Sequence, residues 1–256
     1  MIGDRPPEPR WLRVSAGPLR GAEMLLRPGA AVWQEQMREG RFEAFLHDAV
    51  GDEELAGGTV WDAGAHVGYH TLAFAARVGA HGRVIAFEPN PHNVARLRGN
   101  LARNPLLCAR VRLETTALSD EDGTERLFHT ASVDDGTSSG ASLEAALTRD
   151  NEEAFRALAS MPVTTARGDT LVRTGSAPAP TLIKIDVEGG EVGVLRGCGE
   201  VLAAAHPLLL IEVHSATTMF RTRAVLDALG YELRLLEDGG RPDSRCHVIA
   251  RPPRGA

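Results

Sequence analysis

Lysine is all but missing from this chain of 256 residues: Lys184 is the only one, and the other 27 of the 28 basic residues are arginine. Codon usage in a GC-rich genome replaces lysine by arginine wherever either cation serves. The position that keeps lysine is therefore expected to be one where a planar, permanently charged guanidinium does not fit. Cysteine is also scarce. Cys108, Cys198 and Cys246 stand far apart, which excludes a disulfide framework and a zinc cluster built on close pairs. Aromatic residues make up 5% of the chain and the net charge is −6. No basic or aromatic stripe offers itself to a nucleic acid. No apolar run approaches the roughly 18 residues of a membrane span. Met1–Arg13 is broken by Pro6, Pro7 and Pro9 and lacks an apolar export core, so a soluble, cytoplasmic protein is expected. With 43% hydrophobic and 24% charged residues, the chain has the makings of one substantial core.

From Thr59 onward, strand-like apolar runs alternate with segments of helical period, the pattern of a βαβ domain with a mainly parallel sheet and helices on both faces. Strands are expected at Thr59–Ala63, Arg83–Phe87, Val111–Leu118, Thr124–His129, Val163–Ala166, Leu182–Val187, Leu208–Val213, Tyr231–Leu236 and Cys246–Ala250. The last two would form an antiparallel hairpin around the turn Asp238–Asp243. Helices are expected from Tyr69 to Gly79, from His92 to Asn104, from Gly190 to Ala204, and over Thr218–Leu229 with Gly230 as its cap. Ser132–Ser142 reads as a loop and Leu143–Ser160 as an inserted amphipathic helix. Residues 1–58 form a less regular N-terminal segment, in which Trp33–Val50 looks helical and can cover a ligand site; residues 59–251 form the main domain.

Three strand ends carry the chemistry. Asp62-Ala63-Gly64-Ala65-His66-Val67-Gly68-Tyr69-His70-Thr71 places an acid and a glycine turn at the C-terminal end of the first strand, the edge where open α/β sheets bind ligands. A dinucleotide fold wants glycine where His66 stands, which argues against an NAD-dependent enzyme acting on sugars. Asp62 suits an ammonium group instead. Glu88-Pro89-Asn90 ends the second strand with a carboxylate able to accept both ribose hydroxyls. Ala117, Leu118 and Asp120, after the third strand, are placed to read an adenine edge. A nucleoside site joined to an amino-acid tail describes S-adenosylmethionine, with Asp62, Gly64, Ala65, Gly68, Tyr69, Thr71, Glu88, Pro89, Ala117, Leu118 and Asp120 as the cofactor residues.

The chain resembles the FkbM family of S-adenosylmethionine-dependent methyltransferases, of the class I Rossmann-like group. The resemblance rests on the Asp62–Thr71 string, on Phe87-Glu88-Pro89-Asn90, and above all on Ile183-Lys184-Ile185-Asp186-Val187-Glu188-Gly189-Gly190-Glu191. Ile211-Glu212-Val213-His214 and the upstream Gly40-Arg41-Phe42-Glu43 add to it. It implies a seven-stranded sheet with a reversed last strand and O-methylation of hydroxyls on small molecules, often sugars or polyketide-type natural products. His66 stands where the family often has Asn, and the 143–160 insertion points to an acceptor pocket particular to this chain.

Methyl transfer is an in-line displacement at an already activated carbon, so the protein must align the acceptor and remove its proton. Alternation places Lys184 and Asp186 on one face of their strand, and Glu212 and His214 on one face of the next. In register, the four form a polar cluster at the cofactor edge, costly unless paired. Asp186 and His214 are the candidates for handling the proton. Lys184 and Glu212 are expected to form a buried pair, and Glu188 to orient the substrate. Glu191 complements a helix dipole. His214 as a simple helix cap is the alternative for that residue. A divalent ion such as magnesium on Asp186, Glu188, Glu212 and His214 stays open beside Lys184 as the source of positive charge. A catalytically silent cofactor-binding module is the other functional class, and the oligomeric state is not legible.

Overall fold

Alternate residues along the central strands pack against different helices, and both sets are apolar, so these strands read as continuous hydrophobic runs. Trp61, Phe87, Ile183, Ile185, Leu209 and Ile211 share one core with Val194, Leu195 and Leu202. Val60, Val84, Leu182 and Leu210 face the opposite layer with Phe74 and Ala75. Burying each such side chain contributes about 1.5–3 kcal/mol. The computed structural model describes residues 8–27, 29, 31–129, 141–143, 159–236 and 245–253.

The strands in chain order are β1 (Arg10–Arg13), β2 (Glu23–Leu26), β3 (Thr59–Ala63), β4 (Arg83–Phe87), β5 (Val111–Glu114), β6 (Thr116–Leu118), β7 (Gly123–His129), β8 (Ser142–Leu143), β9 (Ala159–Ala166), β10 (Leu182–Ile185), β11 (Leu208–Val213), β12 (Glu232–Leu236) and β13 (Cys246–Arg251). Seven of them form the main sheet in the order β12-β13-β11-β10-β3-β4-β5. β11, β10, β3, β4 and β5 run parallel, whereas β13 is antiparallel to both β11 and β12. The reversed final strand is as expected. A separate four-stranded sheet, β6-β9-β7-β8, lies between β5 and β10 in the chain.

Several boundaries differ from the sequence reading. Val111–Leu118 is two strands, because the chain leaves the main sheet after Glu114 and pairs Thr116–Leu118 with β9. The expected helix Leu143–Ser160 is strand at both ends: Leu143 lies in β8 and Ser160 in β9. Residues 144–158, most of the Ser132–Ser142 loop and the turn Asp238–Asp243 lie outside the described residues. The helix expected over Gly190–Ala204 breaks at Cys198 into Glu191–Gly197 and Gly199–Ala205. Trp33–Val50 is likewise two helices, Val32–Glu39 and Ala44–Asp48, parted at Gly40 with φ 74°. The β1–β2 hairpin and the helix Gly168–Arg173 had no counterpart in the sequence reading.

The turn after β3 is the tightest point of the fold. Gly64 has φ 81°, and a Cβ there would stand 1.8 Å from the carbonyl oxygen of Asp186. Its N–H and that of Ala65 both donate to the carbonyl of Phe87. Gly64→Ala would force a left-handed residue and push two loops apart. It is expected to lower stability by at least ~2 kcal/mol in urea denaturation; an unchanged midpoint would contradict this packing.

Candidate active site

A cavity of about 430 Å³ opens at the C-terminal edge of the parallel strands, where this class of sheet binds ligands. On one side it is walled by Gly64, Phe87, Glu88, Pro89 and Asn93. Glu88 is 5% exposed and accepts hydrogen bonds from the backbone N–H of His66 (2.8 Å) and of Asn90 (2.9 Å). Burial pushes its carboxyl up to about 7, against the lowering effect of these bonds and of Asn93. Its remaining acceptor capacity faces the cavity, where a pair of ribose hydroxyls would donate. His66 enters that contact through a left-handed backbone, φ 50°. Asn and His are both enriched in that conformation, which explains how His replaces the family's usual residue.

On the other side stand Asp186, Val187, Glu188, Gly190, Glu212 and Arg245. Parallel register aligns Lys184 with Asp62 on β3 and with Leu210 on β11. Lys184 Nζ lies 3.1 Å from Asp186 Oδ2, 3.5 Å from Asp62 Oδ1 and 3.3 Å from the Gly64 carbonyl oxygen. Burial would discharge the ammonium, but Asp186, Asp62 and Glu43 outweigh it and raise its pKa. It is a fixed cation, not a base. Thr71 Oγ1 donates to Asp62 Oδ2 from the covering helix.

His214 sits among four carboxylates. Its Nδ1 is 2.6 Å from Glu191 Oε1, and its Nε2 is 3.2 Å from Glu188, 3.6 Å from Glu212 and 3.8 Å from Asp186. Burial lowers its pKa, yet the Glu191 bond and the charges of Glu188 and Asp186 raise it to about 9. Glu188 is raised by burial, against the attraction of His214. Glu212 is also opposed by burial, but His247 and His214 draw its carboxyl below the ordinary range.

Residues 62–233 match the methyltransferase FkbM domain. The chain belongs to the FkbM methyltransferase family. It is an S-adenosylmethionine-dependent methyltransferase, which sets aside the NAD-dependent alternative. Over 215 residues, 80% of either chain, it is 26% identical to the hexuronic acid methyltransferase AglP of Haloferax volcanii. Among solved structures, methyltransferase FkbM from Methylobacillus flagellatus KT superposes with a TM-score of 0.53 at 18% identity, over 76% of this chain and 43% of that one. This chain therefore spans less than half of that protein. An S-adenosylmethionine-dependent O-methyltransferase from Thermotoga maritima gives a TM-score of 0.51 at 13% identity, over 91% and 79% of the two chains. At these identities the two structures establish a shared fold.

In this FkbM-family methyltransferase, Gly64, Glu88, Pro89, Ala117, Leu118, Asp186, Glu188 and Glu212 all reach the cavity. Ala65, Tyr69 and Thr71 are buried behind its wall, and Gly68 packs against Leu97. Asp62 is also buried, at 0% exposure; its carboxylate is engaged by Lys184 and Thr71 instead of facing an ammonium group in the cavity. Asp120 lies beside Gly193, next to the helix Glu191–Gly197, and off the cavity wall. The expected Lys184–Glu212 pair does not form. Register sets Lys184 beside Asp62 and Leu210, one layer below Glu212, and Glu212 pairs with His214, His247 and Arg245. Sequence reasoning expected Trp33–Val50 to cover a ligand site without naming Trp33, Met37 or Glu43 as wall residues, and it missed Arg245 on the wall and His247 beside Glu212. Counting the reversed last strand residue by residue against β11 would have found His247, the direct register partner of Glu212.

Two outcomes follow from these charges. Lys184→Met leaves Asp62 buried without its cation and is expected to cost about 3–5 kcal/mol in urea denaturation; Asp62→Asn added to it should recover part of that loss. Glu88 must be ionised to accept both ribose hydroxyls, and it gains its proton as pH falls through about 7. Affinity for S-adenosylhomocysteine, measured calorimetrically, should therefore rise between pH 5.5 and pH 8, by at most about tenfold per unit below the pKa. Glu88→Gln should bind weakly with a flat profile.

Proposed function

We propose that this methyltransferase transfers the methyl group to a hydroxyl of a small molecule, a sugar or a polyketide-type natural product. The observation that carries this reading is the cluster at the ends of β10 and β11, where Asp186 reaches the cavity while held by Lys184 and faced by His214. An alcohol is a poor nucleophile until its proton leaves. Asp186 takes that proton, and the cations Lys184 and His214 stabilise the charge that develops. His214 carries its own proton at neutral pH, so of the two candidates Asp186 is the acceptor.

S-adenosylmethionine supplies the activated methyl group. Glu88 and Asn93 would hold its nucleoside end, beside Ala117 and Leu118, and the turn at Gly64 would bring backbone close to it. Leu127, Ala141 and Leu143 from the small sheet, together with Trp33, Met37 and Phe42 from the N-terminal segment, complete the wall. In this reading residues 1–58 act as a cover and the inserted region shapes the acceptor pocket. A relative named for hexuronic acid methylation supports a sugar acceptor. Net charge and the acidic wall speak against a nucleic acid. No helix among the described residues is long and apolar enough to cross a membrane, which fits a cytoplasmic enzyme.

Incubation with S-adenosylmethionine and a panel of hexuronic acids, neutral sugars and glycosylated polyketides, followed by mass spectrometry, should yield an O-methyl ether. Asp186→Ala and His214→Ala should each lose about 10²–10⁴-fold in turnover while binding S-adenosylhomocysteine as the wild type does. Undiminished turnover in both variants, or methylation at nitrogen or carbon, would overturn the reading. Tight cofactor binding with no acceptor methylated would favour the silent binding module.

A further inference from the structure

Glu43 of the Gly40-Arg41-Phe42-Glu43 element takes no direct part in the proposed proton transfer, yet its carboxylate is tightly held. Glu43 has φ 44° at the start of the helix Ala44–Asp48, a strained conformation for a side chain of this kind. Its Oε2 is 2.9 Å from His70 Nε2, and His70 Nδ1 is 3.1 Å from His47 Nε2. Two buried histidines thus fix one carboxylate oxygen at the cavity wall.

Glu212 and His247 come to the same place from the core. They are register partners on β11 and β13, so their side chains share a face. Glu212 Oε1 is 3.4 Å from Arg245 and 3.6 Å from His214, which leaves Oε2 turned towards His247. His247 is 8% exposed, and its buried Nε2 makes no hydrogen bond among the described residues. Glu212 Oε2 lies 3.6 Å from that nitrogen, too long for a hydrogen bond. It is close to the separation of neighbouring donors around one metal: ligands about 2.0–2.2 Å from an ion stand roughly 3–3.5 Å apart. One oxygen of each glutamate and one nitrogen of His247 lie within 4.8 Å of one another.

We propose that Glu43, Glu212 and His247 bind a first-row divalent cation. Two carboxylates and one imidazole suit Mn²⁺ or Zn²⁺, with the remaining positions open to the cavity. The ion would neutralise two carboxylates crowded on one wall, use the orphaned Nε2, and clamp the N-terminal cover onto β11 and β13. His70, with His47 behind it, would be the outer partner that orients Glu43. The proposal deepens the methyl-transfer reading by adding a clamp to the same cavity, but uptake of the ion does not depend on any acceptor being found.

The test is titration of Mn²⁺, followed by electron paramagnetic resonance, and of Zn²⁺, followed by calorimetry, into the full chain stripped with a chelator. One site per chain is expected. Glu43→Gln and His247→Gln should each weaken binding at least ~tenfold, and His70→Gln should weaken it by about 10–100-fold. Glu188→Gln, in the neighbouring Asp186–Glu188–His214 group, should leave it unchanged. Melting curves separate lost ligation from lost folding: the ion should raise the wild-type Tm, and variants with an unchanged metal-free Tm should lose that rise. Glu43→Gln is isosteric, so it decides the matter if His247→Gln unfolds. Failure of the wild type to take up either ion would overturn the proposal. Binding that survives both Glu43→Gln and His247→Gln, or that only Glu188→Gln removes, would do the same. Absence of methyl transfer alongside intact ion binding would count against the acceptor chemistry alone.

Discussion

A single buried ammonium holds this active-site edge together. Lys184 is 4% exposed; its Nζ donates to Asp186 and to the carbonyl of Gly64 and forms an ion pair with Asp62. Burying a lysine is tolerable only with such partners, and each partner belongs to a different functional part. Asp62 ends the strand below the glycine turn, Gly64 forms that turn, and Asp186 reaches the cavity and is the group proposed to take the acceptor's proton. The contact also accounts for the one lysine in an arginine-rich chain. Three acceptors disposed around a point match a compact ammonium, whereas a planar fork would direct its donors into one plane.

Charge is graded across the cavity. On one side, Glu88 is buried and its partners are uncharged donors, two backbone N–H groups and Asn93, so desolvation wins and its pKa rises. At the opposite side, carboxylates alternate with cations along two strand ends; pairing wins at Glu212, which falls, and at His214, which rises, while burial still raises Glu188. The same residue type is thus driven in opposite directions by its neighbours.

Much of this was legible in the sequence because it depends on period. Both-sided apolar strands, the left-handed Gly230 that caps the last long helix, and the reversed hairpin at the end all follow from local pattern. What escaped depends on distant neighbours. Val111–Leu118 carries no glycine or proline to mark the point where the chain changes sheets. At the helix break, Cys198 packs against Gly168, where a Cβ would stand 2.4 Å from its Sγ, and helical period runs straight through it. The acid at the end of β3 suggested an ammonium ligand; that the ammonium is the protein's own Lys184 rests on which strand lies beside β3. His247 is visible only once the antiparallel register is known. Glu43 was readable as part of a familiar element, but its place beside Glu212 is not, since the segment before β3 has no periodic tie to the sheet.

The four-stranded sheet β6-β9-β7-β8 has a different relation to the core. It leaves the main sheet after Glu114 and returns through β9 to the helix Gly168–Arg173, and the N–H of Ser119 donates to the carbonyl of Ala166 to continue its β6–β9 ladder. Its own small cluster of Ala117, Leu127, Leu143 and Val163 is distinct from the larger cores. It nevertheless supplies Leu127, Ala141 and Leu143 to the cavity. Exchanging this excursion can therefore reshape one wall of the cavity while the lysine-centred edge stays untouched; in the proposed reading, substrate range and methyl-transfer machinery can then diverge at separate rates within one chain.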